Sequence, residues 1–380
     1  LTVRTTMRAA VLFAAPGELE VVDVEIDEPR GREVLVRTVA AGLCHSDLHV
    51  LRGAITRPVP SVLGHESAGI VEAVGPDVTT VAVGDHVVCC LSVFCGTCRR
   101  CLAGDTWLCE DKAATGRRPG EPARLHARGE PVHAFSHIGG LAELLLVHEN
   151  ATVRVPRDLP LDRAALLGCG VLTGLGAVLN AARVRPGDTT VVVGCGGIGL
   201  NAVQGCVLAG ASRIVAVDRV PSKLALARTL GATDLVDAST GDPVEAVRDL
   251  TGGGVDHAFE AVGLPVTVQQ SFAMLRRGGT AWVIGVLPEG SRIELPGTDL
   301  LAAKTLAGVF MGSNHFKLDL PTYAEWYLRG RLRLDELISA RIPLDAVNDG
   351  FAALATGEPA RSLVVLDGSA RPATGYGTGP

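Results

Sequence analysis

The sequence has no surplus of positive charge, no long apolar run, no cleavable leader pattern and no regular repeat. Its 35 lysines and arginines are outnumbered by 41 acidic residues, a formal net charge of −6. That balance steers the chain toward neither nucleic acid nor an anionic membrane, and neither is expected as a partner. No stretch of about 18 consecutive apolar residues occurs, so no transmembrane helix is expected. The early apolar run "RAAVLF", residues 8–13, lacks a small-residue cleavage pattern and reads as a first strand. A cytoplasmic location is the resulting expectation.

Cysteine and glycine are plentiful by contrast. With 380 residues the chain can bury a large core and reads as two domains. Its 46 glycines point to many tight turns or close backbone approaches. Of the 10 cysteines, Cys95, Cys98, Cys101 and Cys109 fall within 15 residues. That is too close together for an ordinary disulfide framework, and reduced thiols holding a metal are the better reading. Cys89, Cys90, Cys195 and Cys206 read as fillers of core space.

The chain changes grammar near residue 170. Before it, "EVLVRTVAAG", "AGIVEAVG" and "GDHVVCC" are short β-type runs between turn signals. After it, strands such as "TTVVVG" and "RIVAVD" alternate with helices such as "LNAVQGCVLAGA" and "PVTVQQSFAMLRRGG". "VLTGLGAVLNAA" reads as the first of these helices, and Pro221 and Ser222 are placed to start another. Such alternation predicts an α/β domain with a doubly wound parallel sheet over residues 171–313. Residues 1–170 are then a mainly β domain, with a four-cysteine lobe over about 90–112. Residues 314–367 are expected to return to that first domain, and 368–380 to form a disordered tail.

"VVVGCGGIGLNAV" places G-x-G-x-x-G at Gly194, Gly196 and Gly199, after a β run and at the start of a helix. Gly194 permits the turn, Gly196 lets backbone approach a pyrophosphate, and Gly199 lets helix pack on strand. Gly197 and Ile198 complete the loop, whose N–H groups and helix dipole favour phosphate. Asp218 follows Gly199 by 19 residues, at the end of "RIVAVD". A carboxylate there accepts from ribose hydroxyls and repels a 2′-phosphate, so NAD is expected over NADP; Arg219 beside it softens the preference. Cys95, Cys98, Cys101 and Cys109 follow C-x2-C-x2-C-x7-C, a set for one tetrahedral ion with no open position, hence a structural zinc. An iron–sulfur cluster ranks below it because the last gap is long and no proline follows Cys109.

Together "GLCHSDLH", "GHESAGIVEAVG", the cysteine lobe, "GCGVLTGLGAV", "GCGGIG" and "EPARSLVV" resemble the zinc-dependent medium-chain dehydrogenase/reductase family, and within it the long-form, two-zinc alcohol dehydrogenases. The likeness runs from about Arg8 to Asp367. It implies a Rossmann cofactor domain beside a GroES-like catalytic domain, and a catalytic zinc held by Cys44, His65 and Cys169. Two thiolates and an imidazole suit Zn²⁺ and leave the fourth position for substrate oxygen. Glu66 matches a carboxylate behind the metal, and Asp47 one that orients His65. Ser46 and His49 would carry the substrate proton to solvent. His45 stands where many relatives place arginine against the pyrophosphate, a weaker and pH-dependent contact. Lys223 near the adenosine, Thr173 near the nicotinamide and Arg361 at the pyrophosphate are carried over likewise.

The resemblance places Ile55, Leu91, Phe135, Phe310 and Met311 at the substrate pocket, which predicts a primary or secondary alcohol with an aliphatic, aromatic or terpenoid body. Ile55 replaces the acidic residue of the thiol-dependent formaldehyde dehydrogenases, which ranks that activity lower. A nicotinoprotein that keeps its NAD bound is the other enzymatic reading, and a zinc- or NAD-sensing regulator the non-enzymatic one. A homodimer is expected. The polar stretch 113–128 reads as a loop bordering the zinc lobe.

Overall fold

The structure, a computed structural model, describes residues 4–118, 120–357 and 361–366. The tail expected to be disordered lies outside the described residues. Short β-type runs in the first third form two connected sheets. Arg4–Leu12, Leu19–Asp27, Leu125–Ala127, Glu130–Ala134 and Ser61–Val62 close into a barrel. A second sheet runs Thr152–Arg154, His86–Cys89, Glu66–Val74, Glu33–Gly42, Arg361–Val365 and Ile338–Ile342, with Leu144–His148 also paired to Glu33–Gly42. Arg361–Val365 therefore crosses back from the end of the chain to pair antiparallel with Glu33–Gly42, Leu363 opposite Gly42.

The alternating segment forms a six-stranded parallel sheet. Its order is Asp234–Asp237, Arg213–Asp218, Thr189–Val193, Val255–Glu260, Leu275–Val283, Thr305–Gly308. Strands buried on both faces need no polar alternation, which is why "TTVVV" and "RIVAVD" read as near-continuous β-branched runs. The strand order turns outward in both directions from Thr189–Val193 and Val255–Glu260, so a crevice opens past their C-terminal ends. The helix expected over 265–279 stops at Ala273, and its last residues already belong to the strand Leu275–Val283. Gly278, at φ +79°, takes a left-handed turn that no helix would tolerate there.

One helix joins the two halves. It runs from Leu161 to Ala182 with two π-type stretches, Leu167–Val171 and Ala177–Ala182, so the change of grammar near residue 170 falls inside a helix. It is also long and apolar enough to cross a membrane, a property that counting unbroken apolar runs missed. Its apolar surface is used internally, since 83% of its most apolar window is buried inside the protein.

The stretch 113–128 is fixed to the barrel. Arg117 reaches the buried carboxylates of Asp27 and Glu33, with Nη2 at 2.9 Å from Glu33 Oε2. Arg124 Nε lies 2.6 Å from Glu33 Oε1, and its Nη2 donates to the Thr115 carbonyl at 2.8 Å.

Candidate active site

Strand register brings the first donors together. Glu33–Gly42 pairs antiparallel with Glu66–Val74, and Gly42 stands opposite Glu66. Cys44 and His65 therefore leave that ladder at the same end. Cys169 arrives from the first π stretch of the long helix; such one-residue widenings re-aim a side chain where a straight α-turn would not. One ligand atom each from Cys44, His65, Glu66 and Cys169 lies within 4.8 Å of all the others, and all four residues are buried.

The polar surroundings of this cluster are arranged around His65. Its Nδ1 lies 3.1 Å from Asp47 Oδ2, while the other Asp47 oxygen accepts from the Gly64 N–H at 2.9 Å. Its Nε2 is buried without a hydrogen-bond partner. A buried nitrogen facing two thiols is costly unless something binds it, and a zinc ion is what that donor set fits. Cys44 is pulled well below the ordinary thiol range, chiefly by the hydrogen bond with Cys169, against burial and with help from His65. Glu66 is pushed up to about 7 by burial, although Arg361 Nη1 stands 3.1 Å from its Oε1. Replacing Asp47 by asparagine keeps the shape but removes the anion behind His65. We expect zinc affinity or kcat/KM to fall about 10- to 100-fold, read by metal titration and steady-state kinetics.

Cys95, Cys98, Cys101 and Cys109 form the other cluster. Sulfur separations of 3.9 Å (Cys95–Cys101), 3.4 Å (Cys98–Cys101) and 4.0 Å (Cys98–Cys109) bracket the roughly 3.8 Å spacing of four thiolates on one tetrahedral zinc. Backbone N–H groups of Thr97 and Cys98 point at the Cys95 sulfur, and that of Cys95 at Cys109. Such donors hold thiolates in place from behind.

Between the halves lies a cleft of about 910 Å³. Cys44, His45, Ser46 and His49 line one side. Gly194, Gly196, Gly197, Ile198, Asp218, Arg219, Lys223 and Arg361 line the rest, so most positions singled out in the sequence meet here. Asp218 is held by backbone, its Oδ2 accepting from Cys195 N at 2.7 Å and its Oδ1 from Val220 N at 3.0 Å. Arg361 is buried between Gly170 and Gly197, where a Cβ would come within 2.3 and 2.2 Å of its guanidinium. It thus touches both the phosphate loop and Glu66, where only the pyrophosphate was expected. His45 has its pKa lowered, mainly by burial, which favours the neutral imidazole. A Cβ on Gly199 would sit 1.8 Å from the Gly194 carbonyl oxygen. Gly199→Ala should therefore force the helix off the strand, costing about 1–3 kcal/mol and weakening dinucleotide binding, as read by thermal melting and fluorescence titration.

Part of the cleft was not foreseen. Val193, Ala261, Val262, Gly285 and Val286 line it from the ends of three parallel strands. Their signal was positional, the C-terminal ends of strands beside the switch in strand order, and not chemical. Behind them Glu260 accepts from Val262 N, Gly263 N and Thr267 Oγ1 and fixes that loop.

None of the five expected substrate-pocket positions lines this cleft. Phe135 is buried and meets His65 edge-on at 5.7 Å. Met311 is buried and takes a hydrogen bond from Thr173 Oγ1 at 3.6 Å, so Thr173 too lies behind the cleft wall. Left-handed backbone at Met311 (φ +50°) and Ser313 (φ +47°) turns Met311 inward and leaves Phe310 half exposed. Leu91 is partly buried, and Ile55 packs against the cluster that includes Leu12, Leu43 and Phe351.

Thiol and imidazole donors opening on a dinucleotide-type crevice define a zinc-binding oxidoreductase of two-domain build. Comparison with known proteins agrees. Residues 30–157 match the alcohol dehydrogenase GroES-like domain, and residues 197–328 the zinc-binding dehydrogenase domain. An NDMA-dependent alcohol dehydrogenase of Amycolatopsis methanolica is 41% identical over 366 residues, 94% of this chain and 98% of that one. A Burkholderia ambifaria alcohol dehydrogenase zinc-binding domain protein superposes at TM-score 0.92 with 39% identity, covering 96% of this chain and 100% of its own. Benzyl alcohol dehydrogenase from Acinetobacter calcoaceticus does so at 0.90 with 35% identity and the same coverage. The chain belongs to the zinc-dependent medium-chain dehydrogenase/reductase family, among its alcohol dehydrogenases, and is an oxidoreductase.

Proposed function

We propose that the chain oxidises a primary or secondary alcohol with a largely apolar body, reversibly, to an aldehyde or ketone with NAD as hydride acceptor. The observation that carries this is the unpartnered His65 Nε2 among Cys44, Cys169 and Glu66, beside a cleft built for a dinucleotide. When bound, the zinc supplies Lewis acidity at the substrate oxygen and the nicotinamide accepts hydride. The remaining work belongs to the chain. Ser46 and His49 both line the cleft and are three residues apart on the helix His45–Leu51, hence on one face. In this reading the Ser46 hydroxyl takes the substrate proton and His49 releases it to water. Asp47 keeps His65 turned to the metal, and Arg361 balances Glu66 behind it.

Two zinc ions per chain, a homodimer and a cytoplasmic location complete the proposal. Metal analysis beside a screen of alcohols for NAD reduction tests it. About two zincs per chain with turnover is the expected result; one zinc or none sinks the two-site arrangement, and the absence of NAD reduction sinks the exchangeable-cofactor reading. The NDMA-dependent relative favours a second reading, in which NAD stays bound and passes hydride to another acceptor. Reduced-nicotinamide absorbance that survives gel filtration after alcohol is added would establish it.

A further inference from the structure

The parallel sheet opens on the dinucleotide cleft at the C-terminal ends of its strands. At their N-terminal ends lies a second cavity, of about 710 Å³. Val255–Glu260, Leu275–Val283 and Thr305–Gly308 all start there, and the helices Pro243–Thr251 and Pro265–Ala273 end there. Of its twelve lining residues Arg248, Arg276, Arg277 and Lys304 are basic, and only Asp299 is acidic. In a chain of net charge −6, so local a gathering of cations calls for a reason.

The helix ends account for part of it, since the carbonyl end of a helix carries about half a negative charge. Arg248 Nη1 donates to the Ala273 carbonyl at 3.2 Å and so closes one of those ends. Arg276 pairs with Asp256, and Lys304 Nζ stands 2.9 Å from Asp299 Oδ2. Lys304 is the buried member, its side chain 9% exposed and its ammonium 5.6 Å from the centre of the Phe272 ring. Arg277 is left with no hydrogen bond or ion pair among the described residues, and Arg248 spends one of its five N–H groups. Gly253 (φ +119°) and Gly254 (φ +135°) lead into Val255–Glu260 through backbone that only glycine takes readily. A Cβ on Gly253 would meet nothing within 4 Å, so that wall is bare backbone.

We propose that this cavity receives the phosphate group of a small organic molecule, at a site separate from the dinucleotide cleft. Four cations against Asp256 and Asp299 leave a formal surplus of two, which matches the charge of about −1.5 to −2 on a phosphate monoester near neutral pH. The cations come from a helix end and two strand starts, and guanidinium forks suit the several acceptor oxygens of a phosphate. Val244, Ala273 and Leu275 line the same cavity, whose volume exceeds a bare phosphate, so an organic body has room beside the charged end. The alternative is structural, with the cations serving only the helix ends and their two carboxylates.

Calorimetric titration with phenyl phosphate tests the proposal, run on NAD-saturated protein so that the cleft is filled, with potassium chloride at matched ionic strength as control. Wild type, Arg277→Glu and Arg248→Ala/Arg277→Ala are compared, and melting without ligand reports the fold. We expect the wild type to bind phenyl phosphate with Kd on the order of 0.1 mM, and chloride to give no saturable heat. Arg277→Glu should weaken binding about tenfold or more at an unchanged melting temperature, because that side chain holds nothing else in place. The double variant should bind more weakly still. Equal affinity in wild type and both variants overturns the proposal, as does an absence of saturable binding. A signal that chloride reproduces leaves an adventitious ion only and overturns it too. Capture of phosphatidic acid vesicles without binding of phenyl phosphate would overturn the small-molecule assignment in favour of a lipid headgroup. The readout is binding, so the proposal stands or falls apart from alcohol oxidation.

Discussion

Cys44→Ser is expected to lose about one zinc per chain and to lower kcat/KM at least about 1,000-fold, with the melting temperature little changed. The size follows from the charge balance at the donor cluster. Cys44 is the donor thiol pulled well below the ordinary thiol range, chiefly by the hydrogen bond with Cys169 and with help from His65 and Arg361. A serine hydroxyl in its place is neutral and hard, so the site loses the anion that compensates a divalent ion. The fold should survive because Cys44 caps the helix His45–Leu51 through its backbone, with no side-chain capping bond. Metal analysis must separate the clusters: zinc should remain on Cys95, Cys98, Cys101 and Cys109. A Cys44→Ser enzyme retaining both metals and full turnover would refute the assignment.

Arg117→Ala should have the largest effect on stability. Its guanidinium bridges Asp27 and Glu33, whose side chains are 0% and 7% exposed. Removing one partner of a buried ion pair strands the other, at about 3–5 kcal/mol. In a chain of this size a melting temperature lower by on the order of 5 °C or more is expected. Arg124 still contacts Glu33, and Arg30 Nη2 still stands 3.4 Å from Asp27 Oδ2, so each carboxylate keeps a cation and the lower end of that energy range is expected. The pH dependence has a definite sign. Burial alone would raise the Glu33 pKa, but Arg117 and Arg124 outweigh it and lower it. The stabilisation is therefore complete above the ordinary carboxylate range and is lost as pH falls through the lower folded-state value. The difference in melting temperature between wild type and Arg117→Ala should narrow on acidification; a gap constant from neutral to acid pH would show that Glu33 contributes nothing.

The doubly wound sheet was legible because parallel strands buried on both faces leave a plain signature, "TTVVV" and "RIVAVD" between helical stretches. The metal donors were legible for a different reason: Cys95 to Cys109 are close enough in sequence to meet around one ion. Cys44, His65 and Cys169 are not, and only the family likeness gathered them. What failed depended on backbone detail. Nothing local in "LLGCGVLTGLGAVLNAA" separates α from π; the first widened turn sits where Gly168 and Gly170 pack against the Cys89 carbonyl and the Arg361 side chain. The directions of Phe310 and Met311 were set by three consecutive left-handed residues, Met311, Gly312 and Ser313, of which only the middle one is glycine. The far wall of the cleft was invisible because Ala261, Val262, Gly285 and Val286 bear no chemistry of their own.

The helix Leu161–Ala182 bears on how this enzyme could be divided. Its first π stretch supplies Cys169, and four residues beyond the Cys169–Gly170 step Gly174 lies so close to the phosphate-loop helix that a Cβ would meet the Ile198 carbonyl oxygen at 2.4 Å. The stretch that matches a GroES-like domain ends at residue 157. A fragment cut there would carry Cys44 and His65 but not the third donor, and it would also lack Arg361 behind Glu66. The catalytic metal centre is therefore not a portable module: grafting the barrel alone onto another cofactor domain would transplant an incomplete chelate.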